Sequence, residues 1–413
     1  MSSDYRSIFR AGAAHPLTGA TVLQIAPNLD DNALARATIE IAAALTRIGA
    51  QALVAASGGT LVSELQARGG LFTPFPADAA NPLSMALNVR RLRRLIRAER
   101  VDLVHARARA AAWPAYGATR LTRTPLVTSY LSAYARGGPL ALRYSSVMAR
   151  GEAIVLPSNE AARELARLHP AASGKAHVVP GGVDARMFSP RAVAAHRVQA
   201  VRRLWEAPAD ARIALAPAPG LPAAKRVIEA FRKLAESEDA GLAGARLVIA
   251  VDAEGAQAKA KAFEAAIAAA GLQQVARAAP LGEDRPAALL AASCVVLADP
   301  EADALGAFSL EAQAMGAAVV AASAGAAAER LLAPPDVEPE RRTGWRAEGE
   351  DPDALAAALR EALALGASAR DRLSMRARVH VETEYSMERL WSLTLDAYAS
   401  ALALHAAARP PPR

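Results

Sequence analysis

Asp303 and Glu311 are two carboxylates eight residues apart, with Gly306 between them. The apolar run Cys294-Val-Val-Leu297 precedes them, and Ala317-Ala-Val-Val320 follows. That order predicts strand, loop, helix and strand in an α/β domain. Asp303 falls on the loop and Glu311 early in the helix. Loop and helix start both face the carboxyl ends of the strands, so the pair can grip two ends of one ligand.

The elements that must position this pair are legible along the chain. Thr21–Ile25, Gln51–Ala55, Val101–His105 and Leu126–Ser129 read as strands, with a helix from Ala33 to Ile48 and a strongly basic one from Asn88 to Arg100. The second half repeats the grammar: strands start at Ile213, Leu247, Cys294 and around Val319, with helices over Lys225–Leu234 and Ala256–Ala270. Helices follow over Asp351–Leu363, from Ser368 as N-cap to Glu384, and over Met387–Leu404. Strands alternating with helices predict parallel sheets with covered faces, here in two Rossmann-like halves. The expected division is a flexible arm over 1–17, a first domain over 18–195, a second over 196–385, and a terminal helix and tail over 386–413.

Composition bounds the function. A chain of 413 residues is too long for one ordinary core. Hydrophobic residues make up 53% and mean hydropathy is +0.12, which suits a well-buried globular protein. The single cysteine, Cys294, excludes a disulfide within the chain and a multi-cysteine metal site, and fits a reducing compartment. No window of 18 apolar residues lacks charge, and Asp4, Arg6 and Arg10 argue against a signal peptide. The net charge of +7 favours anionic partners. Aromatics at 4%, not interleaved with the basic residues, argue against nucleic acid.

The run from Asp303 to Gly316 resembles the E-x7-E region of the family 4 retaining glycosyltransferases, where it reads roughly Glu-Ala-Phe-Gly-x4-Glu-Ala-Gln-Ala-Met-Gly. Glu311-Ala-Gln-Ala-Met-Gly316 keeps the second half letter for letter. The resemblance extends over about residues 20–400 and is nearest to a bacterial branch involved in cell-envelope polysaccharides. Thr38-Ile-Glu40, Val101-Asp-Leu-Val-His105-Ala-Arg107, Trp113, Tyr144–Arg150 and Pro180-Gly-Gly-Val-Asp184 carry it.

The resemblance implies the GT-B fold: two Rossmann-like domains facing across a cleft, with the C-terminal helix crossing back to the first. It implies a nucleotide-diphosphate sugar on the second domain, an envelope glycan or lipid-linked acceptor on the first, and no metal or other cofactor. Asp303 and Glu311 would be the catalytic carboxylates, with Glu311 on the ribose hydroxyls and Asp303 on the sugar. Lys225, Arg226, Gly306, Asn32 and Ala33 would line the donor site, and Arg107 and His105 the acceptor side. The basic helix Asn88–Arg100 suits peripheral contact with an anionic membrane, placing the protein in the cytoplasm or at the inner face of the cytoplasmic membrane.

Four departures from the family pattern stand out. Gly220 occupies the arginine position of an Arg-x4-Lys pair that ends at Lys225, with Arg226 adjacent. Asn32-Ala33 replaces a Gly-Gly turn, beside Asp30 and Asp31, whose charge opposes a pyrophosphate unless they serve the helix start. Leu131 stands where the family has a histidine, and leucine neither donates a hydrogen bond nor exchanges a proton. Ser323-Ala-Gly325-Ala326 replaces a double-glycine loop. Three readings therefore stand: a glycosyltransferase, a catalytically impaired relative kept as a binding or regulatory module, and a sugar-phosphate epimerase of related fold.

Overall fold

The computed structural model describes residues 15–78, 81–236, 242, 244–251, 256–299, 303, 305–348 and 351–408. They form two units: unit 1 spans the described part of 1–181 and 387–413, and unit 2 spans that of 182–386.

Unit 1 is built on seven strands: β1 Thr21–Ile25, β2 Gln51–Ala56, β3 Leu71–Pro74, β4 Leu103–Ala106, β5 Leu126–Ser129, β6 Ala153–Leu156 and β7 Ala176–Val178. All pairs are parallel, in the order β3-β2-β1-β4-β5-β6-β7. The order reverses between β1, where Val22 pairs with Leu103, and β4. Ligands of doubly wound sheets settle beyond the carboxyl ends of the strands at such a switch point.

Unit 2 repeats the plan with β8 Arg212–Pro217, β9 Ala245–Val251, β10 Ala276–Pro280, β11 Cys294–Leu297, β12 Ala318–Ala322 and β13 Trp345–Ala347. The order is β10-β9-β8-β11-β12-β13, again parallel, with the switch point between β8 and β11. Alternation along β8 shows how both faces are covered. Ile213 and Leu215 enter one core with Trp205 and Val295, and Ala214 and Ala216 enter the other with Phe231 and Leu247.

The sequence leaves out five strands: β3, β6, β7, β10 and β13. Four lie in the outer parts of the sheets, are three to five residues long and are only partly buried, so their apolar signal is short. β6 is largely buried but only four residues long. The basic helix begins earlier than expected, at Pro82, because Asn81 caps it through the Ser84 amide at 2.8 Å and Pro82 takes the first turn. The helix expected from Ser368 starts at Ala367, with Gly366 as its N-cap.

The division between units falls after Gly181 rather than near 195. Val183, Phe188 and Val193 pack into unit 2 beside Trp205 and Ile213, and the Val183 amide donates to the Tyr385 carbonyl. The terminal helix Met387–Ala407 belongs to unit 1. It buries Trp391, Leu395, Tyr398 and Ala401 at helical spacing against Ile39, Ala42 and Leu45. Of the expected arm, residues 1–14 lie outside the described residues, whereas Leu17 is fully buried in the unit 1 core.

Candidate functional site

At the carboxyl end of β8 the chain turns through Gly220 into the helix Leu221–Ala235. Gly220 is the N-cap, and no side chain bonds the first turn. Pro222 lacks an N–H, and the first amide that bonds within the helix start is that of Ala224, to the Gly220 carbonyl. The amides of Leu221 and Ala223 therefore point out of an uncapped helix end, a natural anion-binding arrangement. Lys225 is exposed one turn further on. A side chain at Gly220 would meet nothing closer than Pro222 Cδ at 3.7 Å, so the approach is open.

The neighbouring strand, β11, leads to Asp303 and the helix Ala307–Ala314. Gly306 precedes that helix at φ +84°, and a Cβ there would lie 2.9 Å from Arg330 Cζ. Glycine is required on both counts. Having no side chain, it cannot cap the helix, and Asp303 does so instead. Its Oδ1 accepts from the Phe308 amide at 2.8 Å and its Oδ2 from the Ser309 amide at 2.9 Å.

Arg330 clamps the same turn, donating to the Asp303 carbonyl at 2.7 Å with its guanidinium 3.5 Å from Oδ2. Both side chains are almost wholly buried, at 2% and 1% exposure. Burial lowers the pKa of Arg330, and Asp303 opposes that effect. Asp303 is thus the built-in cap of the Glu311 helix. Each of its carboxylate oxygens accepts from one backbone amide, and the sugar contact expected of Asp303 would have to use their remaining lone pairs.

Glu311 sits on that helix, mostly buried, with its Oε2 2.6 Å from Arg285 Nε. The Arg285 guanidinium also lies over the Phe308 ring at 4.3 Å. Arg226, expected to supplement Lys225, pairs with Asp299 just beyond β11 at 3.2 Å, which offsets its charge. Ala326 is buried at the start of a short helix after Gly325. Unit 2 thus brings the uncapped helix start with Lys225 and the Glu311 helix to neighbouring strand ends. Sequence reasoning missed Arg285 and Arg330. Neither belongs to a local motif, and each acts on a residue some 26 or 27 positions away.

Unit 1 does not repeat this arrangement. Beyond β1, Asn32 caps the helix Ala33–Arg47, accepting from the Ala35 amide at 2.9 Å. Asp31 is held by Arg36 at 2.5 Å. The loop is pinned against Gly59, where a Cβ would lie 2.2 Å from the Leu29 carbonyl carbon. At Asn32 and Ala33, expected to line the donor site, the cap side chain thus takes one amide of the helix end, that of Ala35, and Asp30 and Asp31 stand beside it.

His105 lies inside the sheet rather than at its rim. Nδ1 is 2.7 Å from the Tyr398 hydroxyl and Nε2 2.9 Å from Ser129 Oγ. Burial, followed by the nearby Arg107, holds its pKa well below the usual histidine value. Both ring nitrogens are engaged within the fold, so the acceptor-side contact expected of His105 would have to displace Tyr398 or Ser129. Arg107 is also buried and donates to Gln24 Oε1 at 3.0 Å, while Gln24 donates to the Thr38 carbonyl. Arg107 thus braces β1 against the first helix. Among the described residues, no group of three or more His, Cys, Asp or Glu side chains converges as a metal site requires.

Residues 34–186 match the family Glycosyltransferase Family 4, and residues 221–364 match Glycosyl transferases group 1. No curated protein matches in sequence. Among solved structures, a glycosyltransferase from Rickettsia africae is 24% identical with a TM-score of 0.77, over 93% of this chain and 99% of that one. Anabaena HepE in complex with UDP and glucose is 17% identical, with a TM-score of 0.74 over 92% of this chain and all of that one. WaaG, a glycosyltransferase involved in lipopolysaccharide biosynthesis, is 15% identical with a TM-score of 0.67, over 92% and 98%. The two domain families point away from the epimerase reading, and the neighbours share the two-unit GT-B architecture.

Proposed function

We propose, for a chain built of two glycosyltransferase family domains on the GT-B fold, that it moves a sugar from a nucleotide-diphosphate donor to a cell-envelope glycan or glycolipid acceptor, with retention at the anomeric carbon. The observation that carries the reading is the uncapped start of the helix Leu221–Ala235 with Lys225 beside it, at the switch point of unit 2 and next to the Glu311 helix. UDP and glucose in HepE support a nucleotide-sugar donor, and the lipopolysaccharide role of WaaG supports an envelope product.

In this reading the Leu221 and Ala223 amides and Lys225 face the diphosphate. As the bond from the anomeric carbon to the diphosphate breaks, they stabilise the charge gathering on the leaving oxygens. Glu311, held by Arg285, accepts from the ribose hydroxyls, and Asp303 acts only through the helix it caps. An acceptor hydroxyl attacks on the face the diphosphate leaves, forming the new glycosidic bond as the bond to the diphosphate breaks, and its proton passes to the departing phosphate oxygen; no metal or cofactor is needed in this reading. The helix Pro82–Ala98 supports peripheral contact with an anionic membrane at the cytoplasmic face: Leu83 and Leu87 are exposed on the same side as Arg90, Arg94 and Arg97. Among the described residues, no helix is long and apolar enough to cross a membrane.

A catalytically impaired binding module is the second reading. It is favoured by the burial of Asp303, the Arg285 pairing of Glu311, and Leu131 at the family's histidine position. Calorimetric titration with UDP, GDP and ADP separates the two. Saturable binding that is lost in Glu311→Ala supports the donor site and names the base. No heat at millimolar nucleotide removes the enzyme reading.

A further inference from the structure

Residues 103–151 of unit 1 contain seven arginines and no Asp, Glu or Lys. Within this stretch Arg109 has a particular setting. It is the first residue of the helix Arg109–Thr122, directly beyond the carboxyl end of β4. Its guanidinium lies over the ring of Tyr134 at 4.8 Å and near that of Tyr144 at 5.9 Å, and it donates to Ser145 Oγ at 3.3 Å. Tyr134 belongs to the turn Ser132–Ala135 beyond the adjacent strand β5. The cluster therefore stands over two neighbouring strand ends, where ligands of such sheets bind.

The electrostatics of this setting lack a counter-charge. Arg109 is partly buried, and no carboxylate pairs with it among the described residues. The helix it opens has Ala108 as N-cap, no side-chain cap and no acidic residue in its first turn. A cation at the positive end of a helix is disfavoured. The two tyrosine rings offset part of that cost, while a guanidinium fork also matches a phosphate. The clustering is notable in a chain with only 4% aromatic residues.

We infer that Arg109, with Tyr134, Tyr144 and Ser145, forms a binding subsite for a phosphate group carried by the acceptor. The inference deepens the proposed function and rests on it, together with the acceptor's place on the first domain that the family resemblance implies. The phosphate can belong to a soluble sugar phosphate or to a lipid headgroup, since both present the same oxygens to the guanidinium.

The full chain is titrated calorimetrically with glucose 1-phosphate, with glucose as the neutral control, and is co-sedimented with phosphatidylcholine vesicles containing phosphatidic acid. Arg109→Ala is compared with Arg120→Ala, which removes an equal charge from the exposed side of the same helix. Arg109→Lys keeps the charge without the fork, and thermal unfolding verifies that each variant is folded. Loss of a charged hydrogen bond predicts binding weakened about tenfold or more in Arg109→Ala and unchanged in Arg120→Ala, with Arg109→Lys between them.

If this pattern appears with glucose 1-phosphate, the acceptor phosphate is soluble; if it appears only on vesicles, it is lipid-borne. Equal behaviour of Arg109→Ala and Arg120→Ala in both assays, or no binding by the unaltered chain, overturns the subsite. A Lys225→Ala background removes the phosphate-facing lysine of unit 2, and the Arg109 effect is expected to persist there. UDP titration keeps the two ideas apart: failure of UDP with Arg109-dependent phosphate binding removes the donor reading and leaves the subsite.

Discussion

Units 1 and 2 share a sheet plan, yet their helix starts at the switch point differ. Beyond β1, Asn32 fills the first turn of its helix and two aspartates stand beside it. Beyond β8, Gly220 leaves the first turn open and Lys225 follows. One architecture therefore yields a closed, self-satisfied helix end in one unit and an open, positively biased one in the other. The fold supplies the position, and the cap residue together with the charge around it decides whether an anion is met by donors. Unit 2 also shows a third arrangement in the Glu311 helix, whose cap comes from Asp303, outside the helix, with Arg330 behind it.

The largest expected effect breaks that third arrangement. Asp303→Ala removes two hydrogen bonds to helix amides and leaves Arg330 buried without its carboxylate. Breaking a buried pair by removing one partner costs about 3–5 kcal/mol. Chemical denaturation should show a loss of that order, and nucleotide affinity should fall with it because Glu311 rides on the same helix. A loss below about 1 kcal/mol, the range of an exposed pair, would mean the Asp303–Arg330 contact is not load-sharing in solution.

The next test converts the unit 2 helix start into the unit 1 kind. Gly220 is extended, at φ −165°, which any residue adopts, and its Cβ direction is open. Gly220→Asp should therefore cap the helix with little strain and raise stability by a few tenths of a kcal/mol. It should also place a carboxylate where the diphosphate belongs, lowering UDP affinity by roughly a hundredfold, or about 2.7 kcal/mol. Unchanged UDP affinity with a normal fold would move the diphosphate away from this helix.

Which of these features the sequence displays follows from how local their causes are. At the switch points Cys294–Leu297 is a continuous apolar run, and Thr21–Ile25 is a fully buried strand with Val22, Leu23 and Ile25 around Gln24. The glutamate helix and the two aspartates just before the first helix are equally local. The role of Asp303 is not. A carboxylate before a glycine reads equally as a ligand or as a cap, and only the positive φ of Gly306 and the arrival of Arg330 from beyond β12 decide it. His105 reads as a strand-end residue until Tyr398, 293 positions away, closes over it. Short outer strands such as Ala176–Val178 lack enough buried positions to mark a period.

His105 sharpens the comparison from the unit 1 side, because a closed polar interior should respond to pH differently from an open site. The unfolded chain takes up a proton on this residue near the ordinary value of 6.5, whereas the folded chain resists it, mainly through burial and then through Arg107. As pH falls below 6.5, the unfolded state binds a proton that the folded state does not, so stability is lost. The expected slope is about 1.4 kcal/mol per pH unit, continuing until the folded value is reached. His15 and His177 shift in the same direction, so the readout is the difference between the unaltered chain and His105→Gln. Matching slopes would show that His105 titrates normally in the fold.

The smallest expected effect is at Asn32, and it tests whether the cap alone separates the two units. Asn32→Ala loses the bond to the Ala35 amide, for which about 1 kcal/mol is expected from denaturation. Asn32→Gly should cost only a few tenths, since glycine leaves the amides open to water. That second variant gives the first helix the same cap residue as Gly220. If an uncapped helix end were sufficient for anion binding, Asn32→Gly would acquire a second phosphate-responsive site. None is expected, because Asp30 and Asp31 remain beside the helix start with no lysine at the position corresponding to Lys225. Pyrophosphate titration of Asn32→Gly in a Lys225→Ala background isolates that question. New binding there would show that the cap is the whole difference between the units, and its absence would show that the surrounding charge is needed as well.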